Sequence, residues 1–223
     1  MIFLNTQKTR YCYIILPCYN EEKNILKLVR KIAETLRDTS YKIIAINDGS
    51  TDLTQKKLEK LKEKYPLDIL VYEKNYGLAA ALKTGLFNVI PLLNKEDVVI
   101  TMDADLTHPP QLLLTMLKFI EKYDLIIASR YIKGGKQIGV PFYRRLLSYG
   151  INKLIHILSP KISIKDVSSG YRCYKASLLK KMMHQYKYKL IEAKGFEVSL
   201  ELLLKAIKCN AKIKEIPLII LKK

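Results

Sequence analysis

With 223 residues, 49% of them hydrophobic, the chain carries enough apolar material for one compact core, and two full domains would be cramped. Its 39 Lys+Arg against 21 Asp+Glu give a formal net charge of +18, which predicts a surface that attracts phosphate-rich partners such as nucleic acid, anionic lipid headgroups or nucleotides. The sign alone does not choose among these, because lysine-rich helix faces such as residues 55–62 would give the same sum in solvent. Cys12, Cys18, Cys173 and Cys209 form no Cys-x-x-Cys or Cys/His cluster, which argues against a zinc module and for a reducing compartment. The first four residues are too short an apolar segment for a signal peptide, and no uncharged apolar run reaches the roughly 18 residues of a membrane-spanning helix. Membrane association is therefore expected to be peripheral, or supplied by an anchoring partner or a further C-terminal segment.

Residues 11–16 form a short β-prone apolar run that ends at Pro17 and reads as a buried strand. Asn20 offers an N-cap, Glu21 and Glu22 suit the positive end of a helix dipole, and Ile25, Leu28, Val29, Ile32 and Leu36 recur at helical spacing. The unit repeats with a strand at 43–46, a turn and cap at 48–52 and a helix over 53–65. A third strand at 68–72 leads through Gly77 to a helix over 78–89; a fourth at 97–102 leads to a helix over 110–122; a fifth follows at 124–128. Such alternation predicts an α/β fold with a mostly parallel central sheet flanked by helices. Beyond Arg130 come a glycine loop with Gly134, Gly135 and Gly139, a helix-like stretch at 144–158, a turn-rich segment at 166–172 and a helix over 197–208. No linker interrupts the chain, so residues 1–223 are expected to form a single domain, with 1–130 as its nucleotide-binding half and 131–223 as its acceptor-side half.

Asp103 and Asp105 follow the fourth strand, and the period-two pleat puts residues two apart on one side of the backbone. Two carboxylates there make a hard-oxygen site suited to Mg2+ or Mn2+, able to bridge a diphosphate. An isolated Asp-x-Asp is usually a pair of solvated turn residues; this one sits at a strand's carboxyl end, where α/β sheets hold ligands. The loops after the first two strands should lie beside it. Tyr19 offers a ring face, Asn47 a donor and an acceptor, and Asp48 two acceptors for a base and ribose; Asn20 and Ser50 are also expected to cap helices. For His108, a loop-structuring role is favoured over metal binding.

The ordered set of residues 16–21 (Leu-Pro-Cys-Tyr-Asn-Glu), 47–52 (Asn-Asp-Gly-Ser-Thr-Asp), 102–110 (Met-Asp-Ala-Asp-Leu-Thr-His-Pro-Pro), 129–131, 134–135, Arg144 with Ser148, 166–172 (Asp-Val-Ser-Ser-Gly-Tyr-Arg) and 215–217 resembles family 2 glycosyltransferases. Within these it is most similar to polyprenyl-phosphate sugar transferases of the dolichol-phosphate mannosyltransferase type. The resemblance covers nearly the whole chain in the right order. It implies a GT-A type nucleotide-sugar-binding fold, in which Pro17, Tyr19, Asn20, Glu21, Asn47 and Asp48 line the nucleotide site. Asp103 and Asp105 would hold the metal, while Arg130, Arg144 and Ser148 would meet the phosphates of donor and acceptor. The implied reaction is inverting transfer of a hexose, mannose ahead of glucose, from a GDP- or UDP-linked donor to a polyprenyl or dolichyl phosphate. Arginine's planar fork suits phosphate oxygens independently of any resemblance. Asn47 stands where many members carry aspartate, and Thr107 where some mannosyl enzymes carry glutamine.

A phosphomonoester has its second pKa near about 6 and is largely dianionic at neutral pH, so a lipid phosphate would need no general base. A family 2 enzyme acting on a sugar hydroxyl would need one, and Asp166 is then the candidate. A basic nucleic-acid-binding module would explain the charge but not the paired aspartates, and no RNA-binding signature is present. A cytoplasmic location, peripheral at the cytoplasmic face of a membrane, is expected; Tyr186 to Lys189, Lys180, Lys181, Arg144 and Arg145 are candidates to face anionic headgroups.

Overall fold

The computed structural model describes residues 10–139 and 164–221. Its main sheet comprises β1 (Cys12–Cys18), β2 (Tyr41–Asn47), β3 (Leu67–Val71), β4 (Val98–Thr101), β5 (Leu125–Ser129), β7 (Arg172–Lys175) and β8 (Ile213–Pro217). Their spatial order is β3-β2-β1-β4-β7-β5-β8. A short parallel pair joins β6 (Lys136–Ile138) to β9 (Ile219–Leu221). Neighbouring strands are parallel except β7, which runs antiparallel between β4 and β5. A mostly parallel sheet flanked by helices is thus what the chain forms.

The strands read as near-continuous apolar runs because both faces are covered. From β1, Cys12, Ile14, Leu16 and Cys18 point into one core with α1 (Ile25–Thr35), α2 (Thr54–Lys62) and α4 (Leu112–Phe119), while Ile15 points into the other. That second core is closed by α3 (Leu78–Val89), α5 (Ala176–Tyr186) and α6 (Val198–Lys208). Helix α3 lies hard against the sheet: a Cβ at Gly85 would stand 2.6 Å from Ile15 Cγ2.

Several boundaries move for identifiable reasons. Strand β1 runs on through Pro17 to Cys18, in register with Ile46 and Asn47 of β2. Asn20 does not cap α1. It adopts a left-handed φ of 55°, and the helix starts five residues later, at Ile25. Its side-chain oxygen accepts from the Thr51 N–H at 2.8 Å, and its own N–H donates to Ser50 Oγ at 3.0 Å, so Asn20 and Ser50 lace the first two loops together rather than capping helices. Asp97 lies just outside β4 and accepts backbone N–H groups from Tyr11 and Asn94. The strands β6, β7, β8 and β9 and helix α5 are additions to the sequence reading. The helix-like stretch at 144–158 lies outside the described residues.

All four cysteines are free and buried. Burial pushes the Cys12 thiol up to about 12, and raises Cys18 and Cys173 in the same direction. These three are expected to resist an aromatic disulfide reagent at pH 8 in the native protein and to react once it is unfolded. Labelling followed by peptide mass mapping checks this, and rapid native modification of Cys12 would contradict the burial.

Candidate active site

Because β1, β2 and β4 are parallel, the loops after them emerge at one edge of the sheet. There a cleft of about 590 Å3 opens. Pro17, Cys18, Tyr19 and Glu21 line it from the first loop, Asp48 from the second, and Asp103, Ala104 and Asp105 from the third. Asn75, Gly77 and Leu78 add the approach to α3, and Ser168, Gly170, Gly195, Phe196 and Ser199 close it from the later part of the chain.

The aspartate loop is organised from behind. The Asp103 N–H donates to His108 Nδ1 at 2.9 Å, so the proton of a neutral imidazole sits on Nε2, which lies 3.5 Å from Asp103 Oδ2. The ring is buried and stacks on Tyr171 at 4.8 Å between centroids. His108 therefore shapes the loop. Asp105 Oδ1 accepts from both the N–H and the Oγ1–H of Thr107, at 3.0 and 2.6 Å. Between them Leu106 takes a left-handed φ of 64°, a conformation disfavoured for a branched side chain and held here by the surrounding bonds. A Cβ at Gly170 would stand 3.6 Å from Asp103 Oδ1, so glycine keeps the space before this carboxylate open.

Charge in the cleft is opposite to that of the whole chain. Among the described residues no lysine or arginine lines it, whereas Glu21, Asp48, Asp103 and Asp105 do. Burial raises the Glu21 carboxyl above its ordinary value; the hydrogen bond from Asn24 opposes this, and the negative charges of Asp105 and Asp103 reinforce it. Such a cleft is poised to accept a cation. The residues fit a magnesium-type ion, which is commonly held by one or two carboxylates with waters and substrate phosphates completing its shell. Asp103 and Asp105 would supply the protein oxygens. No group of three or more His, Cys, Asp or Glu able to hold a metal occurs among the described residues, so an all-protein cage is not what the site offers.

The other expected residues divide. Pro17, Tyr19, Glu21 and Asp48 meet at the cleft. Both Asp48 oxygens already accept backbone N–H groups, from Tyr76 at 2.7 Å and Gly77 at 2.8 Å, so this carboxylate holds the approach to α3 in place. Gly49 makes that possible: its φ is +66°, and a Cβ there would meet the Lys74 backbone at 2.3 Å. Asn47 is buried beside the cleft rather than lining it; it donates to Gln55 and accepts from the Ser50 N–H, which leaves its amide committed to the loop. Asn20, likewise, bonds across to Thr51 and is not among the lining residues.

Arg130 does not line the cleft but borders it, bonded to Ser168 of its wall and to Asp166 behind it. Its Nε and one terminal nitrogen bind the two oxygens of Asp166 at 2.8 and 2.7 Å, its backbone N–H binds the same carboxylate at 2.9 Å, and the terminal nitrogen also reaches Ser168 Oγ at 2.7 Å. Asp166 is fully buried. Arg144 and Ser148 lie outside the described residues.

Asn75, Leu78, Ser168, Gly170, Gly195, Phe196 and Ser199 were not singled out as site residues from sequence. Gly170 and Ser168 lay within a segment already marked as turn-rich, but nothing in the local pattern of 195–199 distinguishes its loop from any other helix approach.

Residues 13–183 match the sequence model of glycosyl transferase family 2. The chain is 35% identical over 206 residues to a dolichol-phosphate mannosyltransferase of Pyrococcus furiosus, a match covering 92% of this chain and 54% of that protein. It is 29% identical over 216 residues to a polyprenol monophosphomannose synthase of Mycolicibacterium smegmatis, covering 96% of this chain and 77% of that one. The chain thus spans about half the length of the Pyrococcus relative. Among solved structures, glucosyl-3-phosphoglycerate synthase from Mycobacterium tuberculosis, crystallised with Mn2+, uridine diphosphate and glucosyl-3-phosphoglycerate, shares the fold with a TM-score of 0.70 at 18% identity, over 96% of this chain and 71% of that one. With the family match spanning most of its length, the chain belongs to glycosyl transferase family 2.

Proposed function

We propose that the chain is a metal-dependent, inverting glycosyltransferase domain that moves a hexose, mannose ahead of glucose, from a GDP- or UDP-linked donor to a polyprenyl phosphate at a membrane surface. The observation that carries this reading is the acidic pair Asp103 and Asp105 just beyond the end of β4, in the cleft that Pro17, Tyr19, Glu21 and Asp48 also line. The names of the Pyrococcus and Mycolicibacterium relatives support a polyprenyl-type acceptor, and the Mn2+ and uridine diphosphate in the Mycobacterium structure support a divalent ion with a nucleotide donor.

The bound divalent ion would neutralise the donor diphosphate and stabilise it as it leaves. Asp103 and Asp105 orient that charge at the cleft floor, with His108 fixing the Asp103 backbone and Thr107 fixing the Asp105 carboxylate. Pro17 and Tyr19 would bracket the nucleotide, and Asp48 holds the Tyr76–Gly77 backbone that forms the opposite rim. An acceptor phosphate oxygen is already ionised, so attack on the anomeric carbon needs placement and charge screening rather than proton removal. One displacement inverts that centre. Because Arg130 is paired with Asp166, its contribution is to set Ser168 in the cleft wall. Direct contact with the acceptor phosphate would then fall chiefly to Arg144 and Ser148, the other two residues that the family resemblance assigns to the phosphates.

The reading as a sugar-hydroxyl transferase loses its nominated base. Asp166 is fully buried, accepts three hydrogen bonds from Arg130 and does not line the cleft.

Asp103→Asn and Asp105→Asn are each expected to lower kcat/KM by about 10²–10³-fold, the scale of losing one electrostatic contact to a leaving charge. The assay is transfer from guanosine and uridine diphosphate sugars to a short polyprenyl phosphate with Mg2+ or Mn2+. Unchanged turnover and metal dependence in both variants would sink the proposal. Asp166→Ala leaves Arg130 as an uncompensated, largely buried charge and is expected to cost about 3–5 kcal/mol in urea unfolding. The double replacement Arg130→Met with Asp166→Leu should be less destabilising than the single change; equal or additive losses would show that the pair is not what holds this segment.

A further inference from the structure

Beside the cleft runs a second groove of about 530 Å3, formed by the start of α3 and the segment between α5 and α6. Tyr76 adjoins Gly77 of the cleft, and Lys194 adjoins Gly195 and Phe196, so the two cavities share one rim. The loops meet where a Cβ on Gly77 would stand 3.7 Å from the Lys194 carbonyl oxygen. Ala79, Ala80 and Ile191 give the groove an apolar floor, with Lys83, Lys189 and Lys194 around it. Three aromatic side chains stand out from this rim: Tyr76 is 53% exposed, Tyr188 69% and Phe196 84%. Among the described residues the groove has one carboxylate, Glu192, 3.6 Å from Lys205 Nζ, which Glu201 shares at 2.6 Å; it is outnumbered by Lys83, Lys189 and Lys194.

The segment is also held rigid. Glu201 accepts the N–H groups of Glu192 and Ala193, and Glu197 those of Lys194 and Gly195. Lys180 and Lys181 donate to the Leu93 and Cys209 carbonyl oxygens, bonds that tether both side chains and leave their positive charges in place.

Protruding aromatic rings with lysines between them, on a backbone that cannot recoil, are the composition that settles at a headgroup layer: rings enter the interface while ammonium groups meet anionic lipid. The acidic cleft next to this rim would be repelled by the same surface, so of the two adjoining cavities the rim of the second is the one attracted. We infer that the face built from Tyr76, Lys83, Tyr188, Lys189, Lys194 and Phe196 rests on an anionic bilayer and points the cleft at the lipid. This rests on the membrane-borne acceptor of the proposed function and names the surface that reaches it.

The test is flotation of purified protein with phosphatidylcholine vesicles, with and without phosphatidylserine, alongside transfer to a short water-soluble polyprenyl phosphate. A lysine at an anionic surface contributes about fivefold in partitioning, so Lys83→Ala with Lys189→Ala should weaken binding to the phosphatidylserine vesicles by roughly 25-fold. Tyr188→Ala should weaken it further, and the charge-matched control on exposed α2 positions, Lys60→Ala with Lys62→Ala, should leave it near wild type. Circular dichroism and thermal melting confirm that the variants are folded. Since neither Lys83 nor Lys189 lines the cleft, transfer to the soluble acceptor should be unchanged in that variant. Equal loss in the α2 control, wild-type flotation without phosphatidylserine, or no flotation at all overturns the inference. If the flotation pattern holds while wild type transfers no sugar to the soluble acceptor, the surface stands and the proposed acceptor chemistry fails.

Discussion

Asp166 is a carboxylate with no access to water, and a buried charge of that kind persists only where partners replace its hydration. Arg130, at the end of β5, supplies two side-chain bonds and one backbone bond. From the other side Glu215 of β8 accepts the N–H groups of Lys165 and Asp166, fixing the backbone that carries the charge. Two strands far apart in sequence are thereby tied to one turn. The residues immediately after that turn, Ser168 and Gly170, are cleft wall, and β7 begins two residues further on.

Insertion of β7 between β4 and β5 has the same consequence on a larger scale. It is antiparallel to both, and through it Thr101 at the end of β4 lies opposite Arg172. Thr101 Oγ1 donates to the Gly170 carbonyl oxygen at 2.7 Å, bringing the turn against the strand that leads to Asp103. Arg172 is buried and donates to the Ser199 and Val167 carbonyl oxygens, which docks the start of α6 on the same turn. The cleft's two walls are therefore one bonded unit, which suits chemistry that depends on placement rather than on proton transfer.

The electrostatic design divides the molecule by location. In a chain of net charge +18, the described residues that line the candidate cleft include four carboxylates and no lysine. In the proposed reaction this acidity would disfavour a bare diphosphate and favour one that arrives with a divalent ion at Asp103 and Asp105. The basic rim next to it carries the opposite preference, for an extended anionic surface.

The sequence by itself determined the alternation of strands and helices through α4 and β5, because both-face burial imposes unbroken apolar runs and helical stripes that are local in the chain. It likewise placed Asp103 and Asp105 at a strand end and marked 48–52 and 166–172 as turns, since pleat period and turn chemistry are local too. What local pattern could not carry was partner choice. Asn20 and Ser50 have the chemistry of caps yet bond to each other's loops; Arg130 has the chemistry of a phosphate ligand yet is claimed by Asp166; Asn47 faces Gln55. Each of these groups had several suitable partners: pairing of β1 with β2 brought the Asn20 loop to Ser50 and Thr51, and pairing of β5 with β7 brought the turn before β7, with Asp166, to Arg130. Phe196 and Ser199 reached the cleft for the same reason: their position depends on where α6 docks, and that is set by a buried arginine in another element.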